Sequence, residues 1–312
     1  MRIAVFGSGG VGGYFGARLA QARQDVVFIA RGAHLQAMRS SGLRVDSIAG
    51  DFTLNPVDAT DDPRQVGIVD AIICGVKAWQ VVTAAKAMRP MVGENTLVIP
   101  LQNGVEAPAQ LAEVLGKDTV LGGLCTIIAF RAEAGRIKHI GANPLIRFGH
   151  MDNHADPRVN ALSEIFDRCQ GIKSSIPEDV QVAMWKKFML ISAWSGVGAV
   201  TRAPIGILLK QSETRNMIVD AMQEIYSLAL AKNIDLPKNS VEKNMSTLES
   251  FPPNSIASMQ RDIADGLPSE LDHQNGAVVR LASDCGVDAP VNCFILDSLR
   301  SLELRARGVL KF

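Results

Sequence analysis

The sequence contains little cysteine, and its few cysteines follow no pairing pattern. Five occur among 312 residues, namely Cys74, Cys125, Cys169, Cys285 and Cys293. Their number is odd and none belongs to a C-x-x-C pair, which argues against a disulfide framework and against a zinc site. We therefore predict that the chain binds no metal and works in a reducing compartment.

An excess of charge of one sign and long apolar runs are also lacking. Lys plus Arg and Asp plus Glu each total 32, whereas a protein that binds nucleic-acid phosphates usually carries a basic excess. The longest uncharged stretch, at 188–201, is too short and too rich in Ser and Gly to span a bilayer. The apolar run at 1–6 is too short for a signal peptide. We expect a cytoplasmic protein without a nucleic-acid or membrane partner.

What remains is the composition of a folded globular protein, 47% hydrophobic and 21% charged. At roughly 150 residues per domain, the length suggests about two domains. In the first half, helical patterns separate short apolar runs, which lie at 3–6, 26–30, 71–76 and 96–101. This alternation predicts a mostly parallel sheet with helices on both faces, the doubly wound α/β class.

The pattern changes further along the chain. We predict a hairpin around Ala49-Gly50-Asp51, and strands at 119–130, 136–140 and 145–148 with turns at Gly135 and Asn143-Pro144. From Pro177 onward helical patterns dominate, at 178–198, 212–232, 238–250, 269–285 and 290–307. We therefore predict a Rossmann-like domain over residues 1–176 and an all-α domain over residues 177–312.

A glycine-rich turn follows the first predicted strand and opens the first predicted helix. It reads Gly7, Ser8, Gly9, Gly10, Val11 and Gly12, which is G-x-G-x-x-G. In that context the first glycine permits a tight turn, the second lets the backbone approach a pyrophosphate, and the third lets helix and strand pack closely. The helix N-terminus then directs free N–H groups at the phosphates. We predict that residues 7–12 bind a dinucleotide.

Arg31 stands at the end of the second predicted strand. Sites for NAD carry Asp or Glu there to bind the ribose 2′-hydroxyl, whereas a guanidinium pairs with the 2′-phosphate of NADP. We predict NADP(H) as the cofactor of the first domain. The alternative is an arginine that is simply solvated.

Lys77 and Asn103 each follow a predicted strand of the parallel sheet. Open α/β sheets bind their ligands at the carboxyl ends of the strands. Both side chains could therefore contact the cofactor ribose or a substrate oxygen. A surface lysine and a turn-forming Asn-Gly pair are the plainer alternatives.

A pair of lysines and a later glutamate are candidates for proton transfer. Lys186 and Lys187 begin the least charged helical stretch, and a lysine on its buried face would lose hydration and release its proton more readily. Periodicity does not decide between the two. Glu270 lies at or near a helix start, where a carboxylate is also ordinary structural chemistry.

Two further patterns resemble sites but fit the surrounding sequence poorly. His150 and His154 have helical spacing, yet the intervening residues favour a turn and a third ligand pattern is lacking. The Ser195-Gly196-Val197-Gly198 run lies within a helical pattern, so it is no nucleophile elbow.

Taken together, these residues resemble one family, ketopantoate reductase, over most of the chain. The resemblance rests on Gly7-x-Gly9-x-x-Gly12, Arg31, Lys77-Ala78-Trp79-Gln80, Asn103-Gly104, Trp185-x-Lys187, Ser258-Met259, Asp262, Glu270 and Asn275. It implies a Rossmann domain, a helical domain and an active site between them. The implied activity is reduction of 2-dehydropantoate to (R)-pantoate with NADPH, in pantothenate biosynthesis.

The resemblance also implies a role for individual residues. The catalytic lysine falls on Lys187 rather than Lys186, and Glu270 matches a carboxylate that faces substrate and ribose. Asn103 and Lys77 match residues near the nicotinamide, and Ser258 matches a contact to the substrate carboxylate.

The chain departs from the family at three positions where an asparagine is common. They are occupied here by Ile191, Ser195 and Ser255. Such amides would line the hydroxyl end of 2-dehydropantoate, so an isoleucine makes that wall more apolar. The expectation therefore has two alternatives, a reductase of a more apolar 2-oxo acid and an NADP(H)-binding regulator without turnover. The helical half offers surfaces for a homodimer.

Overall fold

The computed structural model describes residues 1–141 and 143–312. By contacts, the chain divides into two compact units. The first contains Met1–Gln102 with Ala107–Val180, and the second contains Asn103–Glu106 with Gln181–Phe312. The functions predicted for the two domains stay predictions.

The first unit is built on a parallel sheet that explains its layers. Along strand β1, Ile3 and Val5 point into one apolar cluster while Ala4 and Phe6 point into another, because side chains alternate across a strand. The strands are β1 (Arg2–Phe6), β2 (Asp25–Ile29), β5 (Ala59–Thr60), β6 (Ala71–Cys74) and β7 (Leu97–Pro100). They pair in parallel in the order β5-β2-β1-β6-β7, so the predicted parallel sheet with its helices is confirmed.

Helices cover both faces of this sheet. On one face lies α1 (Gly10–Gln21), and on the other lie α3 (Val81–Met88) and α4 (Ala107–Leu115). The helix α2 (Gly32–Ser41) joins β2 to the next strand. Since α1 contacts strands of a second sheet as well, it is a central element of the unit.

The second sheet contains the remaining strands of this unit. They are β3 (Leu43–Ser47), β4 (Phe52–Leu54), β8 (Gly122–Glu133), β9 (Arg136–Gly149) and β10 (Lys173–Ser175), with α5 (Pro157–Asp167) before β10. The order is β10-β9-β3-β4, and β8 pairs with β9. The hairpin predicted around Gly50 is confirmed as β3 and β4, whereas its placement in a separate sheet was not predicted.

The predicted turn at Asn143-Pro144 is wrong, because both residues lie within the range of β9. The ladder with β8 jumps from the pair Ile128–Ile140 to the pair Thr126–Leu145. Asn143 and Pro144 fall in this interruption of the ladder, so the missing N–H of proline costs no ladder hydrogen bond.

The second unit is helical. Its helices are α6 (Val180–Thr201), α7 (Ile205–Lys210), α8 (Ser212–Ala231), α9 (Ser240–Glu249), α10 (Ser258–Ala264), α11 (Asn275–Cys285) and α12 (Pro290–Ala306). Residues on several sides of α6 are buried in its apolar core, as expected for a helix that others surround. The prediction of one helix over 269–285 is wrong, because a short 3₁₀ turn at Leu271–His273 precedes α11.

In the described part of the chain, none of the helices combines the length and the apolar character that crossing a membrane requires.

Candidate active site

The glycine-rich turn between β1 and α1 has the backbone that its sequence predicts. Gly7 adopts φ +98°, a conformation that favours glycine. A Cβ added at Gly12 would lie 2.2 Å from the carbonyl oxygen of Gly7, so only glycine allows this approach. A Cβ at Gly9 would meet no protein atom within 4 Å, which leaves space beside the backbone for a bound group.

The N-terminus of α1 has the properties of an anion site. Its N-cap is Gly9, whose lack of a side chain leaves the first turn without a side-chain cap, and such N–H groups attract phosphate. Gly10 has a separate role, since a Cβ there would lie 2.3 Å from the carbonyl oxygen of Ala129 on β8. Ser8 is buried and its hydroxyl donates to the carbonyl of Ile29 over 3.0 Å, and Val11 is partly buried. The turn therefore fits the pyrophosphate of a dinucleotide.

Arg31 lies two residues beyond β2 and is the N-cap of α2. Its side chain is exposed, and Gly32 follows at φ +58°. The glycine-rich turn is near, because the Gly7 N–H donates to the carbonyl of Ile29 in β2 over 3.3 Å. Arg31 therefore offers its guanidinium at the carboxyl end of the strand next to that turn.

Lys77 lies beyond β6, at the start of a short 3₁₀ turn. Its side chain is exposed, with the ammonium nitrogen 5.7 Å from the centre of the Trp79 ring. A Cβ at Gly7 would lie 2.7 Å from the backbone nitrogen of Val76. The carboxyl end of β6 thus adjoins the glycine-rich turn, and the contact of Lys77 with cofactor or substrate stays a prediction.

Asn103 and Glu270 meet in the second unit. The Asn103 side-chain amide donates to Glu270 Oε2 over 3.0 Å, although the two residues are 167 positions apart. Glu270 is buried, with 7% exposure. Nearby, Arg280 Nη2 donates to Glu106 Oε2 over 2.9 Å. These bonds fix residues 103–106 against the helical core.

A buried carboxylate holds the residue before Glu270. The Ser269 hydroxyl donates to Glu303 Oε2 over 2.5 Å, and the Ser269 N–H also points at the Glu303 carboxylate. Arg307 Nε donates to Glu303 Oε1 over 2.6 Å, and Arg307 Nη2 donates to the carbonyl of Ser269 over 3.0 Å. Glu303 and Arg307, both near the end of α12, thereby fix the backbone from which Glu270 extends.

The helix α6 carries the candidate lysine and two of the unusual positions. Lys186 and Lys187 are both partly exposed, so burial does not distinguish them. The Lys186 carbonyl accepts from the Asn244 side-chain amide over 2.9 Å. Ile191 is partly exposed and packs against the helical core. Lys187 and Ile191 share one face of the helix, because residues i and i+4 align.

Ser195 is one turn further along and is completely buried. Its hydroxyl lies 2.5 Å from the carbonyl of Ile191 and 2.6 Å from the side-chain oxygen assigned to Gln274. One hydroxyl proton cannot serve two acceptors, so the Gln274 amide fits better turned over, donating to Ser195. A direct contact of Ser195 with substrate stays a prediction, and because the side chain is completely buried, it would require neighbouring groups to move.

The serines predicted near the substrate lie before and at the start of α10. Ser258 is the first residue of that helix and is partly exposed. Ser255 is partly exposed, and its carbonyl accepts from the Ile205 N–H over 3.0 Å. Neither role is tested by these contacts.

The histidine pair lies in a turn, as its intervening residues predict. Ligand atoms of His150, His154 and Asp156 lie within 4.8 Å of one another, a spacing that could hold a metal ion. However, the Arg158 guanidinium donates to both oxygens of Asp156, which also caps α5. These bonds and the cap account for the position of Asp156.

Sequence reasoning missed two residues that support the site. Gln274 connects to α6 through Ser195, and Glu303 holds the backbone next to Glu270. Nothing in the sequence around Gln274 indicates that its side chain is buried against α6. Glu303, by contrast, falls on the buried face of α12, where an acidic residue requires partners.

Comparisons with known proteins show the family of the chain. The sequence model described as ketopantoate reductase PanE/ApbA matches residues 3–153. The model described as its C-terminal part matches residues 179–303.

Individual relatives match over nearly their whole length. An uncharacterized oxidoreductase, YkpB of Bacillus subtilis, is 28% identical over 93% of this chain and 95% of its own. A 2-dehydropantoate 2-reductase of a Nostoc species is 27% identical over 98% and 96%. The crystal structure of a PanE/ApbA family ketopantoate reductase from Ralstonia eutropha superposes with a TM-score of 0.88 at 30% identity, covering 98% and 100%.

Proposed function

Because the chain belongs to the ketopantoate reductase family, whose members are oxidoreductases, we propose that it reduces the 2-oxo group of a 2-oxo acid with NADPH. The first candidate substrate is 2-dehydropantoate, which would give (R)-pantoate for pantothenate biosynthesis. A relative named for that reaction aligns over 98% of this chain.

The first unit would hold the cofactor. Residues 7–12 would receive the pyrophosphate on the free N–H groups of α1, and the open space beside Gly9 supports this role. Arg31 would pair with the 2′-phosphate, while Lys77 would reach the ribose. When bound, NADPH supplies the hydride that the carbonyl carbon of the substrate accepts.

The second unit would handle the proton and the substrate. Lys187 would donate its proton to the alkoxide oxygen that forms as the carbonyl is reduced, and its charge would stabilise that oxygen beforehand. Ser258 would bind the substrate carboxylate. Glu270 would orient hydroxyl groups of the substrate or cofactor. Asn103 holds its side chain, and Glu303 and Arg307 hold its backbone through the preceding residue, Ser269.

The hydrogen bond between Asn103 and Glu270 carries this proposal. It joins two residues that the family resemblance places in one site, across 167 positions of sequence, on a carboxylate that is 7% exposed. Burying a carboxylate costs free energy unless hydrogen bonds compensate for the lost hydration, and the bond from Asn103 supplies one of them.

A second candidate function is reduction of a more apolar 2-oxo acid. It is favoured by Ile191, which shares a helix face with Lys187 and has no polar group for a substrate hydroxyl. Ser195 does not replace that group in this structure, because it is completely buried and its hydroxyl contacts Ile191 and Gln274.

The test is the loss of NADPH absorbance with a panel of 2-oxo acids that includes 2-dehydropantoate, 2-oxoisovalerate and phenylglyoxylate. A clear preference for 2-dehydropantoate supports the first candidate, and a preference for acids without the hydroxyl supports the second. Tight NADPH binding without turnover of any acid would contradict both and identify a cofactor-binding regulator.

A further inference from the structure

His34 lies in the first turn of α2, three residues after Arg31, and is buried with 5% exposure. Both of its ring nitrogens have backbone partners. Nε2 lies 2.8 Å from the carbonyl oxygen of Ser8, and Nδ1 lies 2.9 Å from the backbone nitrogen of Gly135. Because a backbone N–H can only donate, Nδ1 must accept and Nε2 must carry the proton. The geometry therefore requires a neutral ring in one tautomer.

The contact at Nε2 acts on the glycine-rich turn. The carbonyl of Ser8 and the N–H of Gly9 belong to the same planar peptide group. Fixing the direction of that carbonyl therefore also fixes the direction of the Gly9 N–H. Gly9 is also the glycine at which an added Cβ would meet no protein atom within 4 Å.

The contact at Nδ1 gives the ring a firm support. Gly135 forms the turn between β8 and β9 at φ +74°. Its carbonyl accepts from the Arg44 N–H at the start of β3 over 2.9 Å, so this turn is held in the second sheet. His34 thus connects the glycine-rich turn to the turn between β8 and β9, which the second sheet holds in place.

We infer that His34 is a positioning residue for the dinucleotide, which holds the Ser8–Gly9 peptide in the orientation that binds the pyrophosphate. The inference rests on the proposed function only in requiring a dinucleotide on residues 7–12. Burial lowers the pKa of His34 and outweighs the hydrogen bond to Ser8, which raises it, while the charge of Arg131 adds to the lowering. The lowered pKa is consistent with a neutral ring at neutral pH.

Two substitutions separate the two hydrogen bonds. In His34→Gln, the side-chain NH₂ can take the place of Nε2 and still donate to Ser8. In His34→Asn, the side-chain oxygen can take the place of Nδ1 and still accept from Gly135, but the bond to Ser8 is lost. Dissociation constants for NADPH and for NADH are measured on each full-length variant by nicotinamide fluorescence, without substrate. Melting temperatures of the nucleotide-free proteins report any structural cost separately.

We expect His34→Asn to weaken NADPH and NADH by the same factor, about tenfold for one lost hydrogen bond. The reason is that the two nucleotides share the pyrophosphate. His34→Gln should stay within about threefold of the wild type for both. Arg31→Ala, three residues before His34, is the matched control, and it should weaken the binding of NADPH alone.

Other results would overturn the inference. They are an unchanged affinity in His34→Asn, a loss confined to NADPH, and equal losses in both His34 variants, since the last would show a packing role only. A wild-type protein that binds neither nucleotide would overturn this inference together with the proposed cofactor. A wild-type protein that binds NADPH but reduces no 2-oxo acid would contradict the proposed function alone.

Discussion

Arg31 is the residue by which we propose that the first unit distinguishes the two nicotinamide cofactors. Its guanidinium is exposed at the N-cap of α2. We expect Arg31→Ala to weaken NADPH binding by roughly 1.5–3 kcal/mol, the range for hydrogen bonds to charged groups. NADH binding should change little. Titration of the variant with both nucleotides measures this difference, and equal losses would show that Arg31 does not recognise the 2′-phosphate.

Lys187 is proposed as the proton donor, and its neighbour provides a built-in control. Lys186 is also partly exposed on α6 but points elsewhere, since adjacent helical residues do not share a face. Lys187→Ala should lower kcat by about 10²–10⁴, the usual contribution of acid–base catalysis, with nearly unchanged NADPH affinity. Lys186→Ala should retain most of the activity. Steady-state kinetics on the preferred substrate would contradict the assignment if Lys186→Ala were the more damaging change.

Ile191 provides a test of substrate choice. Ile191→Asn adds an amide one turn from Lys187, on the wall that the family resemblance assigns to the hydroxyl end of 2-dehydropantoate. We expect kcat/KM for that acid to rise about tenfold if one net hydrogen bond of about 1.4 kcal/mol forms. Acids that lack the hydroxyl should not gain. Ile191→Leu is the apolar control. A wild-type enzyme that already prefers 2-dehydropantoate by orders of magnitude, with no gain from asparagine, would show that another group makes this contact.

At the scale of elements, the glycines that precede and open α1 have different purposes. A Cβ at Gly9 meets no protein atom within 4 Å, whereas a Cβ at Gly12 would lie 2.2 Å from the Gly7 carbonyl oxygen. Gly9→Ala should therefore weaken NADPH by about tenfold or more, about 1.4 kcal/mol, with a small effect on stability. Gly12→Ala should destabilise the fold by about 1–3 kcal/mol or more, the cost of overpacking.

Thermal melts and nucleotide titrations on the pair distinguish these effects. A large drop in melting temperature for Gly9→Ala with unchanged affinity would contradict the assignment of the open space to the cofactor.

The elements that could be predicted from the sequence are those with a strong local pattern. Four strands consist almost entirely of apolar residues, as expected in a sheet whose two faces are both covered; they are β1, β2, β6 and β7. By contrast, β5 has two residues, Ala59–Thr60, too few for any periodicity. The pairing of β3 with β9 joins segments about 90 positions apart, which local patterns do not encode.

The site shows the same division. The glycine-rich turn and Arg31 are local signals, and the structure places them as their spacing predicts. The bond between Asn103 and Glu270 spans 167 positions, so only the family resemblance connected them beforehand. The supports of the site, Gln274 and Glu303, act through burial and long-range hydrogen bonds. A single sequence does not show which polar residues the fold will bury together.

At the scale of the whole molecule, the cysteines predict how the folded protein reacts with thiol reagents. Cys74, Cys125 and Cys169 are buried, and burial raises the pKa of Cys74 and of Cys169 to about 11. The reactive species is the thiolate, so these thiols should resist labelling. Burial and the hydrogen bond to the Asp297 carboxylate also raise the pKa of the Cys293 thiol. Mass spectrometry of the native protein after iodoacetamide should therefore find label only on Cys285 and, more slowly, on Cys293, and on all five cysteines in denaturant. Rapid native labelling of Cys74 would contradict the burial.

The second unit is not one continuous stretch of chain, because residues 103–106 belong to it together with residues 181–312. A fragment that starts at residue 181 would carry Glu270 without its donor Asn103, and Arg280 without Glu106. The helical half is therefore not a transplantable module. An exchange of this half between relatives, or its expression alone, would preserve the surroundings of Glu270 only if residues 103–106 were carried along with it.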